Sequence, residues 1–129
     1  MTEITIKKER PKHLDLRVIK QPLPAIASIL HRVSGAGLFL MLPFLIFFFF
    51  FFLDLSLVFA MFNAFVSYPL VKLLLIGLLW AFLHHFCMGI RILLLDLNMG
   101  TDLKPARASA KAVLAISLAL TLILGVKLW

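Results

Sequence analysis

Polar residues punctuate this chain, and the apolar intervals between them are long enough to cross a bilayer. From Val33 to Leu53 there are 21 residues without a charge, ending at Asp54. At 1.5 Å per residue such a helix covers the ~30 Å hydrocarbon core. It is expected to start earlier, near Ala25, because Pro22 and Pro24 bias the preceding residues towards extended geometry and Pro24 suits a first helical position. His31 and Arg32 are then already helical. Pro43 leaves the carbonyl of Phe39 without its helical donor and can kink the axis. A second span is predicted from about 70 to 95, beginning with Tyr68, Pro69 and Lys72 and ending around Arg91 and Asp96. A third runs from about 108 to 127, closed by Lys127 and Trp129. Asp54 to Pro69 is apolar, but a further span there would leave only Asp54 and Ser67-Tyr68-Pro69 for both turns. The segment is therefore read as a loop with a short interfacial helix.

The fold class is thus an all-α membrane protein with three transmembrane helices, about 25–53, 70–95 and 108–127. Residues 25–129 form one anchor domain and 1–24 a basic N-terminal segment. Composition agrees: 63% hydrophobic residues and 13 Phe exclude a soluble globular domain. The run Phe47 to Phe52 points all round a helix and reads as lipid-facing bulk. Ala108, Ala112, Ala115 and Ala119 fall at i, i+4, i+7 and i+11, predicting a small-residue face where helices approach closely.

The formal charge of +7 sharpens the orientation. Seven Lys and Arg precede residue 33 (7, 8, 10, 12, 17, 20 and 32) against three acids. Such a juxtamembrane cluster is a topology signal beside anionic phospholipid, and no nucleic-acid partner is expected. The loop from Arg91 to Lys111 is also basic, while the first loop and the C-terminus have one Lys each. The N-terminus is therefore expected to be cytoplasmic and the C-terminus periplasmic. The first 24 residues have no apolar signal-peptide core, and Glu3, Glu9 and the scarcity of serine argue against a mitochondrial transit peptide. A bacterial inner (cytoplasmic) membrane is the expected location, and the lone Cys87 excludes an intrachain disulfide.

The candidate chemistry lies in the second span. His84 and His85 sit in an uncharged run from Leu73 to Ile90, and an imidazole there is costly to desolvate unless something binds it. Neutral imidazole is a good iron ligand for a b-type haem held between helices; hydrogen bonding to a neighbouring helix is the plainer alternative. The two rings are rotated by about 100°, so one haem cannot use both. His85 and Gly89 share a face, where a glycine leaves room for a macrocycle edge. Arg91, about 9 Å along the axis from His85, and Arg32 lie near one membrane face, at a level where they could pair with haem propionates; Arg91 is equally readable as an interfacial anchor. Ser28 and Arg32 share a face at i, i+4, with His31 beside them. A hydroxyl and a guanidinium there suit the carbonyl of a lipophilic quinone, unless Ser28 bonds its own helix and Arg32 simply snorkels.

Taken together, Arg10-Pro11, His13-Leu14-Asp15-Leu16, the stretch from Ala25 through Ser28, His31 and Arg32 to Gly35, and His85-x-x-x-Gly89-Ile90-Arg91 followed by Asp96 resemble the signatures of a known family. It is the cytochrome b subunit family of bacterial succinate dehydrogenase, respiratory complex II. Arg107-x-Ser109-Ala110-Lys111 before the third span fits the same pattern. The resemblance implies a small anchor that pairs with a second hydrophobic membrane subunit and shares one haem b with it. His85 matches the axial iron ligand, the other ligand coming from that partner. Ser28 and Arg32 match ubiquinone-binding positions, and His31 and Arg32 lie where propionate contacts are placed. Asp96 matches a cytoplasm-side acid linked to proton access or subunit docking. Iron–sulfur and flavoprotein subunits are the further partners implied, with no succinate-oxidising site on this chain. One departure is Ile92, where many relatives carry a histidine after Gly-Ile-Arg. The rival from another class is a small scaffold or transporter subunit without haem, in which His84, His85 and Asp96 relay protons or ions.

Overall fold

The computed structural model describes residues 18–54 and 56–129, and side chains throughout these except at 51–58. The basic stretch up to Arg17, with Arg10-Pro11 and the segment from His13 to Leu16, lies outside the described residues. Four helices follow in chain order: α1 (Leu23–Asp54), α2 (Ser56–Val66), α3 (Pro69–Asp96) and α4 (Leu103–Leu128). No strand occurs among the described residues. Three helices are long and apolar enough to cross a membrane, at Leu23–Phe50, Pro69–Asp96 and Leu103–Leu128. This is the expected all-α, three-span architecture.

Local chemistry explains the boundaries. Pro24 falls in the first turn of α1, where a missing N–H costs nothing, and Pro43 is carried inside the helix. α2 is the short helix foreseen after Asp54; its 11 residues rise only about 16 Å, roughly half a hydrocarbon core. α3 starts with Pro69 in its first turn behind an extended Tyr68. It ends in a Schellman motif, with Asn98 in the left-handed region (φ 57°). Met99 N–H donates to the Leu94 carbonyl (3.0 Å) and Asn98 N–H to that of Leu95 (2.9 Å).

α4 begins at Leu103, earlier than the expected 108. Hydropathy marks where a helix enters lipid, but the helix itself starts at its cap. Asp102 holds the extended N-cap conformation, Pro105 sits harmlessly in the first turn, and Ala106 N–H donates to the Asp102 carbonyl (2.9 Å). Lys104, Arg107 and Lys111 therefore ride on this helix instead of lying in a loop.

α3 is the central element and packs on both α1 and α4; α1 also touches α4, and α2 leans on α1 and α3. The core is small: Ala27 from α1, Met88 from α3, and Ala110 and Val113 from α4, with Cys87 and Ile92 against them. Most large apolar side chains face outward, as suits helices surrounded by lipid or by further helices.

The small-residue face differs from expectation. α4 buries Ala110, Val113, Ser117, Thr121 and Gly125, whereas Ala108, Ala112, Ala115 and Ala119 are exposed. The buried stripe holds hydroxyls because they are satisfied at home. Ser117 donates to the Leu114 carbonyl (3.1 Å) and Thr121 to that of Ser117 (2.7 Å). At Gly125 even an added Cβ would meet Ile76 of α3 only at ordinary contact distance, 3.8 Å. The phenylalanine run divides too. Phe47, Phe49 and Phe50 are exposed as expected, but Phe48 stacks on Phe65 (6.0 Å) and meets Phe62 (5.8 Å), holding α2 to α1.

Candidate functional site

The adjacent histidines of α3 take different environments, as their angular separation requires. His85 is half-buried and faces α1. Its ring lies parallel to that of His31, centroids 4.1 Å apart and planes 9° off. Its Nδ1 is 3.1 Å from the His31 carbonyl oxygen and 3.3 Å from Ser34 Oγ. Ser34 donates its own proton to that same carbonyl (2.9 Å), so it offers His85 a lone pair. Facing two acceptors, Nδ1 carries the ring proton. Nε2 is then left with a free lone pair, and no partner uses it among the described residues. That is the tautomer a metal-ligating histidine needs, with Nδ1–H held by a carbonyl.

His84 is fully buried. It stacks on Trp80 (5.4 Å, 24°), and its Nε2 lies 3.4 Å from the Ala27 carbonyl of α1. Its Nδ1 has no partner, and neither has Trp80 Nε1. Sealed between helices, His84 is positioned to hydrogen-bond α1 and not to meet a large planar ligand.

Gly89 and Gly35 both make room beside these rings. A Cβ at Gly89 would meet His31 Nε2 at 3.9 Å, so in this chain it is an imidazole that occupies the space over that glycine. A Cβ at Gly35 would come within 2.7 Å of His85 Cε1, closer than real Cβ atoms approach. Only glycine lets α1 lie this close to the His85 ring. Ser34 and Gly35 lie within the α1 signature, but their roles beside His85 emerge only from the packing of α1 on α3. Their signal was available in part, since Ser34 follows His31 by three residues, the spacing at which a hydroxyl bonds back to its own helix.

Ser28 is half-buried and Arg32 exposed, on adjacent turns of one α1 face. Neither makes a side-chain hydrogen bond or ion pair among the described residues. The alternative that Ser28 spends its hydroxyl on its own helix is therefore not what is observed. Both side chains have donors free for a polar group at the edge of the bundle.

Arg91 is buried and turned towards α4. Nε donates to Ser109 Oγ (3.0 Å), Nη2 to the Ala106 carbonyl (3.1 Å), and Nη1 approaches Met88 Sδ (3.8 Å). Its guanidinium thus brackets α3 to the first turns of α4. Asp96 is exposed at the end of α3. It lies twelve residues beyond His84, about 18 Å along the axis, so the three relay residues form no contiguous chain. No group of three or more His, Cys, Asp or Glu able to hold a metal ion occurs among the described residues.

Comparison with known proteins identifies the family. A family model described as succinate dehydrogenase/fumarate reductase transmembrane subunit matches residues 6–124. The chain is similar to the succinate dehydrogenase cytochrome b556 subunit of Coxiella burnetii, 33% identical over 122 residues, covering 94% of this chain and 98% of that protein. It is similar to the protein of the same name from Rickettsia felis, 30% over 125 residues, covering 97% and 98%. The corresponding subunit of Paracoccus denitrificans is 29% identical over 114 residues, 88% of each.

Proposed function

The chain belongs to the succinate dehydrogenase/fumarate reductase transmembrane-subunit family, and on that premise we propose that it is the cytochrome b anchor of a succinate:ubiquinone oxidoreductase in a bacterial inner membrane. In this reading it holds haem b with His85, contributes Ser28 and Arg32 to a ubiquinone site, and secures the iron–sulfur and flavoprotein subunits together with a second membrane subunit. The observation that carries the reading is the hydrogen bond from His85 Nδ1 to the His31 carbonyl, which frees Nε2 for iron. Haem held in this way would take a single imidazole, His85, from this chain, so a multi-residue metal cluster is not required of it.

Bound haem supplies one-electron storage at the anchor. The chain's own residues do the rest. His31 and Ser34 hold the His85 proton on Nδ1, fixing the tautomer and the orientation of the ring. The Arg32 guanidinium and the His31 ring are assigned to the propionates; Arg91, also a propionate candidate by sequence, has Nε and Nη2 already engaged by α4. Ser28 and Arg32 donate hydrogen bonds to a quinone carbonyl. Two electrons reach that quinone from the iron–sulfur partner and two protons from the cytoplasmic side, giving the quinol. Asp96, exposed at that end of α3, is assigned to proton access or docking. Succinate oxidation belongs to the flavoprotein.

The test is a reduced-minus-oxidised visible spectrum of the complex purified through this chain. Sharp b-type bands are expected, and their absence returns the haem-free scaffold. A second expectation concerns Gly35→Ala. The added methyl must displace the His85 ring from its two acceptors. Haem per flavin should fall about tenfold under mild washing, the usual scale for losing an outer-shell contact. Full retention would show that the ring can shift at no cost.

A further inference from the structure

His84 is a fully buried polar group of α3 that the proposed chemistry leaves unused, and its environment is specific. Its Nε2 reaches the Ala27 carbonyl (3.4 Å), while the next residue, His85, reaches the His31 carbonyl (3.1 Å). Ala27 and His31 are one helical turn apart on the same face of α1. Two successive side chains of α3 therefore grip two successive turns of α1. A helix held at one carbonyl can still rotate about its axis and slide; held at two on one face, it can do neither. The residues next to the gripped carbonyls are Ser28 and Arg32.

We propose that His84 is a positioning residue: with His85 it forms a double clasp that fixes the rotation and height of α1, and so aims Ser28 and Arg32 at the quinone. The inference rests on the quinone reading of those two residues. It also accounts for a histidine that is otherwise costly. With Nε2 donating to Ala27, Nδ1 is a bare acceptor, buried without a partner, and such an atom is destabilising where it stands. An aromatic hydrocarbon of the same shape would pack on Trp80 and Ala27 without that penalty. Its place in the bundle is explained by the bond to Ala27, not by filling of space.

The experiment compares His84→Phe and His84→Gln in the assembled complex. Phenylalanine keeps the ring and its stack on Trp80 but removes the donor; glutamine can return an N–H near the position of Nε2. Dye-linked succinate oxidation and haem content report assembly for each variant. Expected for His84→Phe is a rise of about threefold in the KM for a short-chain ubiquinone, the size of one interhelical hydrogen bond in a membrane protein, with haem content unchanged. His84→Gln should restore the KM. An unchanged KM in His84→Phe, or no rescue by glutamine, overturns the clasp, as does haem loss in His84→Phe as complete as that caused by removing His85. Ser28→Ala provides the separating control. If it too leaves quinone kinetics unchanged, the site reading has failed; if Ser28→Ala raises the KM and His84→Phe does not, only the clasp has.

Discussion

His85→Ala is expected to strip the b-type absorption from the purified complex, while His84→Ala leaves most of it in place. The asymmetry follows from the two environments. His85 is half-buried, with Nδ1–H committed to His31 and Ser34 and Nε2 free. His84 has no room for a macrocycle, being fully buried between Trp80 and Ala27. If His85 holds the iron as proposed, its removal should cost more than the 10- to 100-fold in affinity typical of outer-shell changes, so haem per flavin in His85→Ala should approach zero. The check is a pyridine haemochrome assay normalised to flavin. Equal loss in both variants would sink the assignment of His85 alone.

Arg32→Leu should cripple quinone reduction while sparing succinate oxidation by an artificial dye. Arg32 is exposed and without an ion-pair partner among the described residues, so its removal breaks no packing. A charge-assisted hydrogen bond contributes about 1.5–3 kcal/mol, which converts to roughly a 10- to 150-fold fall in kcat/KM for quinone. Ser28→Ala, losing a neutral donor, should cost about fivefold. Parallel steady-state assays with ubiquinone and with a dye accepting electrons before the anchor make the comparison. Similar losses in both assays would indicate failed assembly and remove Arg32 from the quinone site.

Much of the candidate site stands out in the sequence because its chemistry violates its surroundings. A histidine in an apolar span and an arginine at its edge stand out, and the 100° step between His84 and His85 already allowed one haem only one of them. The grip of His84 on Ala27 was not legible, since its partner is a backbone carbonyl 57 residues away. Arg91 was unreadable for the same reason: Ser109 and Ala106 become its neighbours only when α4 folds back on α3. The face of α4 was misjudged on different grounds. In water, burial selects the apolar face of a helix; in a membrane both faces are apolar, and fit decides. Four alanines in a row look like a packing stripe, yet Ala110, Val113, Ser117, Thr121 and Gly125 make the contact.

By itself the sequence determined the number of spans, their approximate limits and the family. These depend on the length of uncharged runs against the thickness of a bilayer, and on the order of local signatures, both properties of the chain read end to end. Only the tertiary structure decided which histidine nitrogen is free, which arginine is already spent on α4, and why Gly35 must lack a side chain. Each of those depends on atoms brought within about 3–4 Å from different helices, a distance that periodicity along one helix does not encode.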